Sequence, residues 1–237
     1  MARPERVETT QSTVSYHGLR DWLDQVEKLG ELQKVNGAHW DREMGAITQM
    51  LTETGKGKAP AILFDEVPGY PKGYRTLYGQ FSTIKRVALT LGLPLEYEHK
   101  ADIVKAYHHR MEDMKLLKPK IVKTGPIFDN VLEGDKVDVL KLPVPIHHQQ
   151  DTHRYIGTAD MCITKDPDAE WYNFGAYRCE VYDEKTIGCQ ITEGKHGRIH
   201  RDKYFERGQS AKFAIVCGQD PLLYLLSASP LPSGVSE

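Results

Sequence analysis

The sequence lacks a long apolar run, and none approaches the roughly 20 residues that cross a bilayer. The opening segment, Met1–Gln11, has no apolar core, so we expect no secretory signal peptide. Neither sign of charge dominates, because 31 Lys and Arg oppose 33 Asp and Glu, for a formal net charge of −2. A nearly neutral chain has no overall attraction to nucleic acid or to an anionic membrane. We therefore expect no nucleic-acid partner and no membrane span.

Cysteine is also scarce, with 4 residues in 237 and no CxxC spacing, which excludes a disulfide scaffold. We therefore expect a cytoplasmic protein with reduced thiols. The motifs GxxxxGK[ST], GxGxxG, GxSxG and HExxH are absent too, so phosphate-loop chemistry and hydride transfer on a Rossmann half have no support. What the chain does have is the composition of a globular protein, with 40% hydrophobic and 27% charged residues.

The first half of the chain alternates helical and strand-like patterns, which predicts a small α/β domain over residues 15–118. We predict helices over residues 19–30, 42–54, 83–91 and 96–117 and strands over 31–36, 61–64 and 76–78. Thr83 is the expected N-cap of the third helix, and Gly92 is its expected end. In the second helix, Ile47, Met50 and Leu51 are expected to face inward.

After a hinge-like stretch at 119–126, the second half has short strand-like runs joined by tight polar turns. This pattern of short strands and tight turns predicts an antiparallel sheet or barrel, and hence a second domain over residues 119–237. The predicted strands cover residues 137–142, 155–164, 173–182, 186–192 and a buried run at 212–217. Helices are predicted over 198–207 and 221–227, the second with Pro221 at its first position.

The strand around residue 178 combines a glycine with an arginine. Gly175 lacks a side chain in mid-strand, which permits close approach of a ligand or of another backbone segment. Arg178 follows it, and at this stage a bulge with a surface arginine explains the pair equally well. Alternation along a regular strand places 173, 175 and 177 on one side and 174, 176 and 178 on the other.

Two further segments have the composition of a ligand site. His196 lies in a turn between two glycines, where an imidazole is a candidate metal ligand or phosphate contact, or simply an exposed loop side chain. The last segment, 227–237, is rich in serine and constrained by two prolines. It is either a fixed loop that offers oxygens to a cation or phosphate, or a flexible tail. The pairs His108-His109 and His147-His148 are adjacent in sequence, so neither is a natural chelate.

Four blocks, in this order and at this approximate spacing, resemble the UbiD family of decarboxylases, which use prenylated FMN. They are Tyr155-Ile-Gly-Thr158, Trp171-Tyr-Asn-Phe-Gly-Ala-Tyr-Arg178, Thr192-Glu-Gly-Lys-His196 and Ser227-Ala-Ser-Pro-Leu-Pro-Ser-Gly-Val-Ser-Glu237. The segment Phe64-Asp-Glu-Val-Pro-Gly-Tyr-Pro is similar to the family's N-terminal domain. The resemblance covers residues 15 to 237.

The resemblance implies an α+β fold class. An N-terminal α/β domain is followed by a split β-barrel, flavin-reductase-like, that binds the flavin, and the family's C-terminal domain is missing from this chain. The implied cofactors are prenylated FMN (or FMN), a divalent cation, typically Mn²⁺, that bridges the cofactor phosphate to the protein, and K⁺ beside it.

The resemblance also assigns residues. Arg178 corresponds to the arginine of the family's Glu-Arg-Glu catalytic network. The implied divalent ligands are Asn173, His196 and Glu237, and the monovalent ion is expected near Leu226, Ser227, Ser229 and Glu237. The implied cofactor-binding residues are Thr158, Asn173, Phe174, Gly175, Ala176, Tyr177, Arg178, Lys195, His196, Ser227, Ala228, Ser229 and Pro230.

The implied reaction is the non-oxidative, reversible decarboxylation of an aromatic or α,β-unsaturated carboxylic acid, with CO₂ as the other product. The implied partners are a flavin prenyltransferase that supplies the cofactor and further copies of the same chain in a homo-oligomer. Two departures stand out. The family's catalytic glutamates have no counterpart here, so we expect a fragment or one piece of a longer enzyme, with little activity alone. Lys195 adds charge where the family often has a neutral polar residue.

Two alternatives stay open at this stage. One is a non-catalytic flavin-binding subunit of a multi-subunit carboxylase, with a complementary chain supplying the missing acids. The other is an FMN-dependent reductase on a split barrel, which would need a nicotinamide site and would leave the 227–237 loop without a purpose.

Overall fold

The computed structural model describes residues 14–112, 120–229 and 231–237. Within its described residues, the first half contains four helices and a three-stranded sheet. The helices are α1 (Leu19–Lys28), α2 (Glu43–Thr54), α3 (Ile84–Leu91) and α4 (Lys100–Glu112). The strands are β1 (Leu32–Asn36), β2 (Ala61–Asp65) and β3 (Thr76–Tyr78). β1 pairs parallel with β2, and β2 pairs antiparallel with β3.

Local signals set the ends of these helices. α1 ends before Gly30, whose φ of 72° is the left-handed conformation that glycine adopts without strain. The Thr83 side chain accepts from the backbone N–H of Arg86 at the start of α3, and Gly92 ends that helix with a φ of 62°. The predicted cap and both glycine ends are therefore confirmed. α4 is shorter at its start than predicted, and residues 113–117 lie outside the described residues.

Of the three α2 residues predicted to face inward, Ile47 and Leu51 pack against the core. The prediction is wrong for Met50, which is 56% exposed. It lies on the solvent side of α2, while the buried residues of that helix, Met44 and Gly45, lie in its first turn.

A buried ion pair, between Arg86 and Glu31, connects the sheet of the first half to α3. The Arg86 guanidinium is fully buried and donates to Glu31 Oε2 at 2.8 Å. It also donates to the carbonyls of Gln80 at 3.0 Å, Ala59 at 2.7 Å and Gly79 at 3.1 Å. Burial lowers the pKa of Arg86, whereas the nearby Glu31 carboxylate acts in the opposite direction.

Replacing Arg86 with methionine is therefore expected to destabilise the protein by about 3–5 kcal/mol, because Glu31 and several carbonyls lose their buried partner. Urea unfolding measures this change, with Lys85→Met as the control on the exposed neighbouring position. An Arg86→Met variant as stable as the control would show that the pair contributes nothing.

The described residues of the second half form two separate antiparallel sheets and two α-helices. One sheet has the order β4 (Arg154–Gly157), β7 (Arg178–Val181), β8 (Ile187–Gln190). The other has the order β6 (Tyr172–Gly175), β5 (Met161–Lys165), β9 (Phe213–Val216). The helices are α5 (His196–Glu206) and α6 (Pro221–Ser227), and Asp220 caps α6 ahead of Pro221 as the proline position predicts. No closed barrel is formed by the described residues, so the split barrel and the domain boundary at 118/119 stay predictions.

Four strand predictions for this half need correction. Residues 137–142 form no strand but a short 3₁₀ turn, Val139–Lys141, because the Asp138 side chain accepts from the Leu140 N–H. The expected strands 155–164 and 173–182 are each divided between the two sheets, into β4 with β5 and β6 with β7. The strand at 212–217 is not buried, because β9 is an edge strand and Phe213 is 39% exposed.

Candidate functional site

A cavity of about 520 Å³ opens where β6, β7, the end of β8 and the start of α5 meet the end of α6. It is lined by Thr158, Asn173, Phe174, Gly175, Ala176, Tyr177, Arg178, Gln190, Thr192, Lys195, His196, Ser227 and Ala228. The predicted cofactor-binding residues are thus brought together, apart from two. Ser229 is not part of this lining, and Pro230 lies outside the described residues.

The division between β6 and β7 decides which side chains reach this cavity. At the break, Ala176 donates its backbone N–H not to a neighbouring strand but to the carbonyl of Ser227 at the end of α6, at 3.1 Å. Strict alternation would place Asn173 and Arg178 on opposite faces. Because the chain changes sheets between them, both residues line the same cavity.

Tyr177 fills the space beside the break. A Cβ at Gly175 would lie 2.3 Å from the Tyr177 ring, and one at Gly197 would lie 2.9 Å from it. Gly175 therefore makes room for this side chain, whereas the sequence suggested approach by a ligand or by backbone. The Tyr177 hydroxyl accepts from the Asn173 amide nitrogen at 3.3 Å and from the Gly197 N–H at 3.2 Å. Burial raises the pKa of Tyr177, so this hydroxyl stays protonated.

His196 and Glu237, far apart in sequence, meet beside the cavity. The His196 Nδ1 atom lies 3.6 Å from Glu237 Oε1, and their side chains are only 12% and 4% exposed. Neither atom has a hydrogen-bond partner among the described residues. Burying two polar atoms without partners is costly, so a group that bonds both would relieve the cost. An imidazole nitrogen and a carboxylate oxygen are a donor set that Mn²⁺ accepts.

Asn173 supplies a third donor. It is buried, and its amide nitrogen donates to Thr164 Oγ1 at 3.2 Å and to the Tyr177 hydroxyl. With the nitrogen engaged on that side, the amide carbonyl oxygen is left to accept from, or coordinate, another group. Thr164 is in turn fixed by His200 Nδ1 at 3.0 Å, so the amide has a rigid support.

Trp171 fixes the His196 ring from the other side. Its indole meets the His196 ring edge-on, with the ring centroids 5.0 Å apart, and the buried His200 ring likewise at 4.4 Å. Burial lowers the pKa of His200, so this ring is neutral and adds no positive charge beside the proposed cation.

The C-terminal segment is held along β6. Tyr172 donates its N–H to Ser236 Oγ at 2.7 Å, and its carbonyl accepts from the Glu237 N–H at 3.2 Å. The Phe174 N–H donates to Glu237 Oε2 at 3.3 Å. These contacts explain how Glu237 reaches the site, and they favour the fixed loop over the flexible tail.

The residues expected near a monovalent cation lie at the end of α6. The Leu226 carbonyl accepts from the Ser229 N–H at 2.9 Å, and the Ser227 carbonyl accepts from the Ala176 N–H. The Leu226 carbonyl also accepts from the Ala228 N–H. A carbonyl oxygen has two lone pairs, so the Ser227 carbonyl keeps one, whereas both lone pairs of the Leu226 carbonyl are engaged. The monovalent site stays a prediction.

Arg178 is exposed at the cavity wall. Its guanidinium lies 5.7 Å from the centre of the Tyr155 ring, a weak cation–π distance. Within the described residues, no carboxylate lies in ion-pair distance of it, although most arginines of this half have one. An unpaired guanidinium beside a cavity is suited to bind a carboxylate through two parallel hydrogen bonds.

Two residues of the cavity, Gln190 and Thr192, were not among the predicted cofactor-binding residues. The register of β7 with β8 places Gln190 directly opposite Arg178. Thr192 follows two positions later, just beyond the end of β8, and lines the same cavity. The sequence around residues 178–192 indicated a hairpin, but without the strand register it did not show which residue lies opposite Arg178.

A second, larger cleft of about 830 Å³ meets the first at Thr158 and lies between the two halves of the chain. It is lined in part by His147, whose Nδ1 lies 2.9 Å from the Tyr78 hydroxyl. Burial lowers the pKa of His147, so the ring is neutral. The rings of His108 and His109 instead lie near the exposed Glu112 at the end of α4.

Among the helices that the structure describes, none combines the length and the apolar character needed to cross a membrane.

Two sequence models of one family match the chain. The 3-octaprenyl-4-hydroxybenzoate carboxy-lyase N-terminal domain matches residues 23–105, and the Rift-related domain of the same carboxy-lyase matches residues 120–237. A curated relative, the pyrrole-2-carboxylic acid decarboxylase of Pseudomonas aeruginosa, is 31% identical over 228 residues. That alignment covers 92% of this chain and 45% of the relative, so the chain spans about half the length of the curated relatives it matches.

Solved structures show the same fold. The vanillic acid decarboxylase of Sedimentibacter hydroxybenzoicus in closed form has a TM-score of 0.81 at 24% identity, covering 92% of this chain and 46% of that chain. The UbiD-class enzyme HmfF from Pelotomaculum thermopropionicum, in complex with FMN, has a TM-score of 0.79 at 24% identity, covering 93% of this chain and 46% of that chain.

Proposed function

This chain belongs to the UbiD family of carboxy-lyases, and from that premise we propose that it is the flavin-binding part of a prenylated-FMN-dependent decarboxylase. The proposed substrate is an aromatic or α,β-unsaturated carboxylic acid, and CO₂ is the product of its cleavage. We further propose that the reaction is reversible, that a flavin prenyltransferase supplies the cofactor and that the enzyme is a homo-oligomer. Its four cysteines are all free, which suits the reducing cytoplasm.

One observation carries this proposal. Two buried atoms, His196 Nδ1 and Glu237 Oε1, have no hydrogen-bond partner among the described residues and lie 3.6 Å apart. The wall of the neighbouring cavity presents the Arg178 guanidinium, which no carboxylate of that part of the chain pairs with. The first pair suits a cation that would hold the phosphate of a nucleotide, and the arginine suits the carboxylate of a substrate. A plain flavin reductase has no need of an arginine that binds a substrate carboxylate.

The cation would be held by Asn173, His196 and Glu237. A phosphate dianion taken from water into a protein needs compensating charge, and a divalent cation held by these residues would supply it. The start of α5 lies at the same place, and the unpaired N–H groups of a helix N-terminus favour an anion. The exposed Lys195 adds a further positive charge to this end of the cavity.

When bound, prenylated FMN supplies the electron sink and the covalent attachment that loss of CO₂ requires. The residues of this chain orient the reactants. Arg178 keeps its charge at any working pH and would hold the substrate carboxylate, while Gln190 opposite it offers an amide to the same region. Holding reactants in one geometry is worth up to about 7–11 kcal/mol of the barrier.

The cavity offers no carboxylic acid to protonate the product. Of the described residues that line the cavity, none is Asp or Glu. The nearby Glu237 is committed to the proposed cation and to the Phe174 N–H. If the proton donor of the proposed enzyme is a carboxylic acid, it comes from outside this lining.

The proposal is tested by expressing the protein with and without a flavin prenyltransferase. We expect a bound flavin with the absorbance and mass of the prenylated form only after co-expression, and CO₂ release from members of a panel of aromatic and α,β-unsaturated acids. Protein that binds no flavin, or that oxidises NADPH with FMN and releases no CO₂, would contradict the proposal and favour a reductase.

A further inference from the structure

Three cysteines that are distant in sequence meet between the two sheets of the second half. Cys162 lies on β5, Cys179 on β7 and Cys189 on β8, so the cluster joins one sheet to the other. Their sulfur atoms all lie within 4.8 Å of one another. The Cys162–Cys179 and Cys179–Cys189 sulfur pairs are both 3.7 Å apart, too far for a disulfide bond.

This spacing is that of ligands on one metal ion. At a Zn–S distance of about 2.3 Å, two thiolates on a tetrahedral zinc ion lie about 3.8 Å apart. Two of the three sulfur pairs already have this separation. Two thiols in van der Waals contact have a similar distance, so the spacing alone does not identify a site, and a fourth ligand is needed.

Asp160 offers that fourth ligand. Asp160 is buried, with an exposure of only 1%, and its Oδ2 atom lies 3.1 Å from the Cys162 sulfur. Oδ1 has no hydrogen-bond partner, and within the described residues no cationic side chain forms an ion pair with this carboxylate. A buried carboxylate without a cation is costly, and burial accordingly raises the pKa of Asp160.

The backbone makes room for this arrangement. Gly157 at the end of β4 pairs with Cys179 across the ladder. A Cβ at Gly157 would lie 2.3 Å from the Asp160 carboxyl carbon, so only glycine lets the carboxylate fold back toward the thiols. Between Gly157 and Asp160 the chain crosses from the sheet that contains β4 to the sheet that contains β5.

The three sulfur atoms differ in their exposure to solvent. Cys189 is half-buried, which gives an ion a path from solvent, and the other two sulfurs are fully buried.

We propose that Cys162, Cys179, Cys189 and Asp160 form a structural zinc site that ties the two sheets together. Three thiolates, with the Asp160 carboxylate beside Cys162, make a sulfur-rich donor set, which favours zinc over the harder Mn²⁺ or Mg²⁺. Zinc binding releases the thiol protons to solvent, and the zinc stays Zn²⁺ throughout. The site is separate from the cavity ligands Asn173, His196 and Glu237, and it does not depend on the proposed decarboxylase function.

Metal analysis of the purified protein after dialysis against a weak chelator tests the site. We expect about one zinc ion per chain, released when a mercurial reagent titrates the thiols, and retained in His196→Ala. Cys189→Ala, at the half-buried position, is expected to lose it, whereas Cys217→Ala, at the exposed cysteine outside the cluster, is expected to keep it.

A second measurement covers the case in which a variant fails to fold. Cobalt added to the metal-free protein is expected to give an intense sulfur-to-cobalt charge-transfer band, which Asp160→Asn shifts and Cys217→Ala leaves unchanged. The proposal is overturned if the wild-type protein binds neither zinc nor cobalt through thiolates. It is equally overturned if Cys189→Ala retains the zinc, or if the intact mass shows a disulfide within the cluster.

Discussion

Arg178→Ala is expected to lower kcat/KM for decarboxylation by about 10²- to 10³-fold, the effect typical of losing one partner of a desolvated charge pair. The guanidinium has no anionic partner among the described residues, so its charge is available to a substrate. Its contact with the Tyr155 ring at 5.7 Å is too weak to hold the fold together, so the flavin is expected to remain bound.

Steady-state kinetics and the flavin absorbance of the same samples measure both effects. Arg207→Ala is the matched control, because Arg207 is an exposed arginine paired with Asp168 away from the cavity. Arg178→Lys keeps the charge but loses the two parallel hydrogen bonds, so it should recover only part of the rate. Normal turnover by Arg178→Ala would show that its assignment is wrong.

His196→Ala and Glu237→Gln are expected to weaken cofactor retention by about 100-fold, since removing one partner of a buried charge pair costs roughly 3 kcal/mol or more. Each change takes one donor from the pair of atoms that lie 3.6 Å apart, and leaves the phosphate charge less compensated. Unlike Arg178→Ala, these variants should lose flavin and manganese together.

Equilibrium binding of FMN at several Mn²⁺ concentrations measures this loss. Glu170→Gln is the matched control, because Glu170 is an exposed carboxylate paired with Lys165. High Mn²⁺ should restore part of the affinity of the Glu237→Gln variant, since it keeps an amide oxygen at the same position. Variants that retain both flavin and metal like the control would contradict the role of these residues.

The helix ends of this fold were predictable because their signals are local. Gly30 and Gly92 end helices through a left-handed φ, Thr83 accepts from an N–H three residues on, and Pro221 begins a helix. Each of these effects depends on residues within one turn of the chain. The first-half elements therefore came close to their observed bounds.

The division of the later strands was not predictable, because its causes are distant in sequence. The break at Ala176 depends on the carbonyl of Ser227, and the space beside it depends on the Tyr177 ring against Gly197. A single strand over 173–182 satisfied the local pattern equally well. For the same reason the cysteine cluster was invisible, since its members lie on three strands whose pairing the sequence did not reveal.

The candidate site was predicted through the family resemblance more than through the residues alone. Taken singly, His196 was as well explained by an exposed loop and Arg178 by a surface arginine. Their grouping around one cavity needed the fold, which also added Gln190 and Thr192. Side-chain types thus indicated the chemistry, while their convergence followed from long-range packing.

The central claim is that Asn173, His196 and Glu237 hold the phosphate of a flavin through one divalent cation. Crystallography of the flavin-loaded protein, with anomalous scattering recorded at the manganese absorption edge, tests it most directly. We expect one manganese peak in contact with all three side chains and with a phosphate oxygen. A flavin whose phosphate shares no ion with these residues, or a manganese peak elsewhere, would contradict the account.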